Sequence, residues 1–390
     1  MKHVHETIKD IKKFSKVVDR LLKLKMVGLD LETEGFEWWG KHFICGVGLG
    51  CVTPAAIYTC YVPVRHCDLE GVPYINDNLS PSDVSSVLSP LVMDPDIRIV
   101  GANTKFDAHF LREDFGLKTT AIDDVQVMAR LLRTEYRAIG LKKLIPLEFD
   151  NEHVEDTELK AWFRKNKIKC NQKYVEPQAY AKAPIEQVSK YCGKDVYWTL
   201  MLALKYLKEL KADKKLLSVY EKIERPLIPT VMNMEKNGIT INVNYLQDLK
   251  EQLTQEAADL EVQIYVEAGQ KFNPSSTQQL REVLEPMGVM PELRKRKNKD
   301  GETTSESLDA AVLEKNRKEH LICDLILRYR ETTKTLGTYV NNVLDRIDPE
   351  WDSELPSHPI IHASIRQDSA RTGRMSISDP PLQTLPREEK

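Results

Sequence analysis

The 390-residue sequence has no Cys-x-x-Cys pair among its seven cysteines, no apolar run of membrane-spanning length, no signal-peptide core and no excess of positive charge. Each absence excludes something. His42 and His66 lie near Cys45, Cys51, Cys60 and Cys67, but the spacings fit no common zinc finger, so buried reduced thiols in a reducing compartment are expected. With neither a leader nor a span, the expected location is the cytoplasm, with no membrane partner. A formal net charge of −3 provides no overall basic field, so any nucleic-acid contact must come from local patches. What is present is ordinary globular composition, 41% hydrophobic and 29% charged, over a length sufficient for two or three domains.

Residues 6–24 read as an amphipathic helix, and 26–32, 43–51 and 55–64 as strands whose short connections imply an antiparallel meander. Val84–Met93 reads as a helix and 97–103 as a fourth strand, running into a helix that Asn103 or Thr104 would cap. The pattern is helical over 121–144 and polar and irregular over 150–184, with a short helix near 158–165. Pro184 then opens a long helix over 185–210. Beyond Leu210 the pattern is of long helices, at 213–236, 243–269, 276–285, 308–316 and 320–347.

Three stretches carry acids in places where the local pattern gives them a direction. In Met26-Val-Gly-Leu-Asp-Leu-Glu-Thr33 strand alternation puts Asp30 and Glu32 on one face and Leu29 and Leu31 on the other. Two neighbouring carboxylates repel, and an oxygen-only ligand set that keeps both ionised suits Mg²⁺ or Mn²⁺. Asp-x-Glu occurs eight times in the chain, but only this copy lies in a strand-like apolar run. Asp107, in Asn103-Thr-Lys-Phe-Asp107, falls in a first helical turn, where the macrodipole favours an acid in any case. Tyr191 and Asp195 are one turn apart on the long helix and address the same point in space. Among fourteen tyrosines, Tyr191 alone is followed by Asp four positions later.

In that order the three motifs resemble those of the DEDD exonuclease superfamily in its tyrosine form. The resemblance implies an α/β fold, an RNase-H-like domain with a mixed sheet, over 1–210. It also implies 3′–5′ hydrolysis with two divalent ions about 3.5–4 Å apart. By the same resemblance Asp30 bridges the ions, Glu32 and Asp195 hold the first, Asp107 holds the second, and Tyr191 orients the attacking water; Phe106 and Leu31 read as packing residues.

Three later stretches, 223–241, 272–280 and 335–340, resemble the helical thumb of family A (polymerase-I-like) DNA polymerases, giving an expected thumb over 211–348. Ile361-His-Ala-Ser364, Arg371-Thr-Gly-Arg374 and Asp379-Pro-Pro-Leu-Gln-Thr-Leu-Pro386 resemble the start of that family's palm, expected over 349–390. Primer–template duplex along the thumb and a single-stranded 3′ end in the nuclease site are the implied DNA partners. Arg294, Lys295, Arg296, Lys297 and Lys299 put five positive charges in an expected mobile loop that can neutralise phosphates without base preference. Asn103, Ser275, Ser276, Thr277, Lys334, Thr335, Thr338, Arg371, Arg374 and Gln383 complete the expected DNA-contacting set, with Arg374 reaching the minor groove. In the family, the strand with the first catalytic palm aspartate follows this point. The expectation is therefore a split or truncated polymerase whose exonuclease portion relies on a second polypeptide for palm and fingers, with no nucleotide addition by this chain alone. A freestanding exonuclease and a non-catalytic DNA-binding scaffold are the alternatives.

Overall fold

The structure is a computed structural model describing residues 1–40, 42–149, 157–170, 176–298, 301–347 and 359–385. It forms two compact units, one of residues 1–237 with 365–376, the other of 238–364 with 377–390. Among the described residues no helix is long and apolar enough to cross a membrane.

The first unit is built on a six-stranded mixed sheet: β1 (Lys2–Thr7), β2 (Met26–Thr33), β3 (Ile44–Val52), β4 (Ala56–Pro63), β5 (Arg98–Gly101) and β6 (Ile122–Asp124), in the order β1-β4-β3-β2-β5-β6. β2, β3 and β4 form the antiparallel meander the sequence predicts, while β5 and β6 add in parallel on the β2 side and β1 in parallel to β4. α1 (Ile11–Leu21) and α2 (Pro81–Val92) cover one face. There Phe14, Val17, Val18, Leu88 and Leu91 bury against Val27, Leu29 and Leu31, each such side chain stabilising the fold by about 1.5–3 kcal/mol. α8 (Ile185–Ala212) lies on the other face through Val188, Cys192, Val196 and Leu200.

In the sheet unit, two segments before α8 differ from their sequence reading. The helix expected over 6–24 is shorter: Glu6 and Thr7 instead end β1, whose His3 and His5 rings both meet Thr59 Oγ1 at 2.8 Å. The helix starts only after extended Asp10, whose carboxylate accepts the Lys13 amide at 2.7 Å. The expected helix over 121–144 is β6, then α4 (Val125–Leu132) and α5 (Leu141–Phe149). Ile122 is drawn into the sheet by pairing with Ile99. Asp124 caps α4 through the Gln126 amide at 2.7 Å and also accepts the Thr104 amide at the start of α3 (Thr104–Glu113) at 2.8 Å. Asn103 stands at the α3 N-cap in the left-handed region, φ 63°, without a side-chain capping bond. After α6 (Thr157–Lys165) and α7 (Ala179–Lys182), the unit continues past α8 into α9 (Lys214–Val219), a π-helical turn over 220–224, and α10 (Arg225–Asn237).

The second unit is mainly helical: α11 (Val243–Ala268), α12 (Thr277–Leu284), α13 (Ala310–Asn316) and α14 (Leu321–Lys334), packed through Leu260, Ile264, Leu280, Leu284, Leu313, Ile322 and Ile326. The basic stretch from Leu293 is not the expected loop. It is one strand, Glu292–Asn298, of a hairpin whose partner, Gly301–Ser307, supplies Glu302 opposite Lys297 and Glu306 opposite Leu293. Lys299 and the chain end 386–390 lie outside the described residues.

Candidate active site

Asp30 and Glu32 face α8 because Gly28, two positions earlier on β2, does. A Cβ built on Gly28 would come within 2.9 Å of Leu200 Cγ, and one on Gly50 of β3 within 2.6 Å of Val196 Cγ1. At Gly48, paired with Asp30 across the sheet, a Cβ would overlap Cys192 Sγ outright. This bare strip lets α8 lie directly on the strands. It brings Tyr191 and Asp195 down to the acids of β2, and the Cys192 thiol lies 3.6 Å from the Asp30 carbonyl. Ligand atoms of Asp30, Glu32 and Cys192 lie within 4.8 Å of one another. Asp107 enters from α3, buried, with Oδ1 accepting the Leu31 amide at 2.9 Å. Glu32 and Asp195 are likewise buried, and Asp30 is part-buried.

Electrostatics binds the group together. Burial pushes Asp30 up to about 7, and the Asp195 carboxylate adds to the rise. Burial raises Glu32 well above the ordinary carboxylate range, with Asp30 and Asp195 reinforcing it. Asp107 is raised by burial and by Asp30, against the pull of the Leu31 amide. Burial, then Asp195, keeps the Tyr191 phenol protonated, and burial with Asp30 and Glu32 does the same for the Cys192 thiol. Buried carboxylates whose charged forms are disfavoured by burial and by one another are a donor set that fits a hard divalent ion, whose charge would favour those forms.

One cation of the chain already leans on this cluster, and the sequence reading missed it. Lys142 on α5 pairs its Nζ with Asp195 Oδ1 and lies 4.3 Å from the centre of the Tyr191 ring. Leu141-Lys-Lys-Leu144 has the pattern of any helix start, so nothing local distinguished it.

The expected DNA-contacting residues are scattered. Arg294 is held by Asp309 at 2.8 Å and Glu292 at 3.3 Å. Ser276 caps α12, and Thr277 opens it. Ser275 donates its amide to Asn273 at 2.9 Å. Lys334 ends α14, with Thr335 and Thr338 in the π-helical turn that follows. Arg371 donates to the Thr134 carbonyl at 2.9 Å in the first unit, and Gln383 accepts the Ile377 amide at 3.1 Å in the second. Arg374 is exposed, and Lys295, Arg296 and Lys297 lie along the first hairpin strand.

A mixed sheet of this order, with acids from β2, α3 and α8 drawn to one face, has the architecture of a nuclease. Residues 5–211 match the family model described as 3′-5′ exonuclease, and residues 243–390 that of DNA polymerase family A. The chain therefore belongs to the 3′-5′ exonuclease family associated with family A DNA polymerases. DNA polymerase I of Chloroflexus aurantiacus is 29% identical over 97% of this chain, and the thermostable DNA polymerase I of Thermus aquaticus 36% identical over 45% of it. These alignments cover 37% and 20% of the respective relatives, so the chain spans well under half their length. Among solved structures, the POL domain of Pol1 from M. smegmatis, in complex with DNA primer-template and dNTP, shares the fold with a TM-score of 0.67. The likeness covers 99% of this chain and 56% of that one at 19% identity.

Proposed function

We propose that the chain removes nucleotides from the 3′ end of DNA by hydrolysis, with Asp30, Glu32, Asp107 and Asp195 holding two divalent ions and Tyr191 orienting the attacking water. The observation that carries this reading is the packing of α8 onto a glycine strip opposite Asp30, which gathers acids from three distant stretches into one electrostatically coupled group. Bound Mg²⁺ or Mn²⁺ would supply a water of lowered pKa and polarise the phosphodiester.

The remaining work falls to the chain's own side chains. Tyr191 stays a neutral phenol, so it can donate to or accept from a water without competing as a base. Asp107 is oriented by the Leu31 amide, which ties the α3 acid to the strand that carries the other two. Burial of Glu32 and Asp195 keeps bulk water from screening their charge. We read the second unit as holding duplex DNA through its Ser, Thr and Lys positions. Nucleotide addition belongs, in this reading, to sequence outside these 390 residues, on the same or a separate polypeptide.

The test is Mg²⁺-dependent shortening of a single strand labelled away from its 3′ end. Wild type shortens it and Asp30→Ala does not. Failure of folded wild type to shorten the strand in either Mg²⁺ or Mn²⁺ would favour a DNA-binding scaffold instead.

A further inference from the structure

Among the described cations of the first unit, Lys142 stands out by where its ammonium goes. Arg65, Arg98 and Arg133 pair with Asp114, Asp123 and Glu148, acids outside the cluster. The Lys142 ammonium instead enters the acid cluster, against Asp195 and over the face of Tyr191, while its side chain keeps 31% exposure at the site's edge. It therefore satisfies the carboxylate that the proposed function gives to a divalent ion, and it sits on the phenol given to the water.

We propose that Lys142 is the exchangeable counter-cation of this site: it neutralises Asp195 while no divalent ion is bound, yields that carboxylate when one arrives, and then offers its ammonium to a phosphate oxygen of the DNA strand. The inference rests on the metal-holding reading of the acids and deepens it. The chemistry is competition for one carboxylate. An ammonium is a compact, strongly hydrated charge on a flexible four-carbon stem, so it can leave Asp195 without disturbing α5. Because Lys142 is part-exposed, its release places a positive charge at the entrance rather than in the core, where an incoming phosphodiester meets it. Metal and DNA binding are thereby coupled, and by linkage each tightens the other.

This role separates from a merely structural ion pair by equilibrium measurements that need no turnover. In Lys142→Met, Mn²⁺ titrated calorimetrically into the metal-free protein should bind about tenfold more tightly than in wild type, the scale of removing one opposing charge a few ångströms away. A single-stranded oligonucleotide should bind both proteins equally in EDTA, and bind Lys142→Met several-fold more weakly than wild type once Ca²⁺ occupies the acids. Lys142→Arg, which keeps the charge and can grip Asp195 with two donors, should bind Mn²⁺ no more tightly than wild type. A folded Lys142→Met with wild-type or weaker Mn²⁺ affinity overturns the proposal. Should that variant not fold, tighter Mn²⁺ binding by Lys142→Arg overturns it. If wild type itself binds no Mn²⁺, the metal-holding reading fails and this inference with it, an outcome distinct from wild type binding the ion with Lys142 playing no part.

Discussion

The contact between Gly48 and Cys192 offers the sharpest test of how the site is assembled. A Gly48→Ala Cβ would overlap the Cys192 sulfur and lie 3.0 Å from the Asp30 carbonyl and 3.2 Å from Val196 Cγ2. Cys192 is fully buried beneath α8, so its sulfur has no solvent to swing into. The clash must be relieved by lifting α8 from the sheet. Overpacking of this kind costs about 1–3 kcal/mol, which in a unit of this size lowers the melting midpoint by about 2–12 °C. The same helix carries Tyr191 and Asp195, so a displacement approaching 1 Å should reduce 3′ trimming by about 10²-fold, more than the stability loss alone explains. Melting and single-strand trimming measured on one preparation supply both numbers. Cys192→Ala removes the sulfur and leaves a small void costing about 1 kcal/mol. The double variant should therefore be more stable and more active than Gly48→Ala alone, with a favourable coupling of about 1–2 kcal/mol. Wild-type behaviour of Gly48→Ala, or a double variant no better than it, would refute the claim that this close approach sets the site.

Two further perturbations probe what the acids cost and what steadies the rest of the first unit. Asp30, Glu32 and Asp107 all have folded pKa values above their ordinary ones, so in EDTA the folded state holds protons that the unfolded state releases. Their contribution is fully present below about pH 4 and, for Asp30, is lost as pH rises from about 4 to about 7, so the metal-free melting midpoint should fall across that window. Saturating Mn²⁺ should abolish or reverse the slope, and a midpoint that rises from pH 5 to pH 8 in EDTA would contradict the burial of unpaired acids. Glu235 on α10 is buried and pairs with Lys105, with His109 at 2.8 Å and with the Ile365 amide at 2.6 Å. Glu235→Leu should cost about 3–5 kcal/mol by stranding Lys105 and the amide, and expose residues 365–376 to limited proteolysis; urea denaturation and cleavage mapping read the two effects.

The acids were legible because they interrupt their surroundings. Asp30 and Glu32 break an apolar strand at period two, and Tyr191 and Asp195 share a helix face, patterns short enough to be carried by neighbouring residues alone. The meander β2–β4 and helix α8 were legible for the same reason. β1 was not, because Lys2-His-Val-His-Glu-Thr7 has Val4 as its one aliphatic residue and becomes a strand only by pairing with β4, more than fifty positions away. β6 is three residues long and owes its state to β5. The basic stretch from Leu293 looked like a loop because its partner, Gly301–Ser307, is a run of Glu, Thr and Ser with no strand-like apolar alternation, and the strand forms only through that pairing. Lys142 illustrates the limit most clearly. Its meaning lies 53 positions downstream, at Asp195, and its own neighbourhood carries no trace of it.

The features that escaped the sequence reading are also those that reconcile the site with a stable fold. Four carboxylates gathered under one helix oppose folding when nothing neutralises them, since each raised pKa records free energy spent on burying or crowding a charge. The structure offsets this locally in three ways: the Leu31 amide on Asp107, the Lys142 ammonium on Asp195, and the rise that burial gives to the pKa of Asp30, up to about 7. On the metal-holding reading proposed above, the last two would be surrendered to an arriving cation. A cluster neutralised by buried arginine forks would be better satisfied in the metal-free state and correspondingly poorer at giving way. Weak, exchangeable neutralisation of this kind is what a site needs if it must stand folded before its ions come and then bind them against little competition.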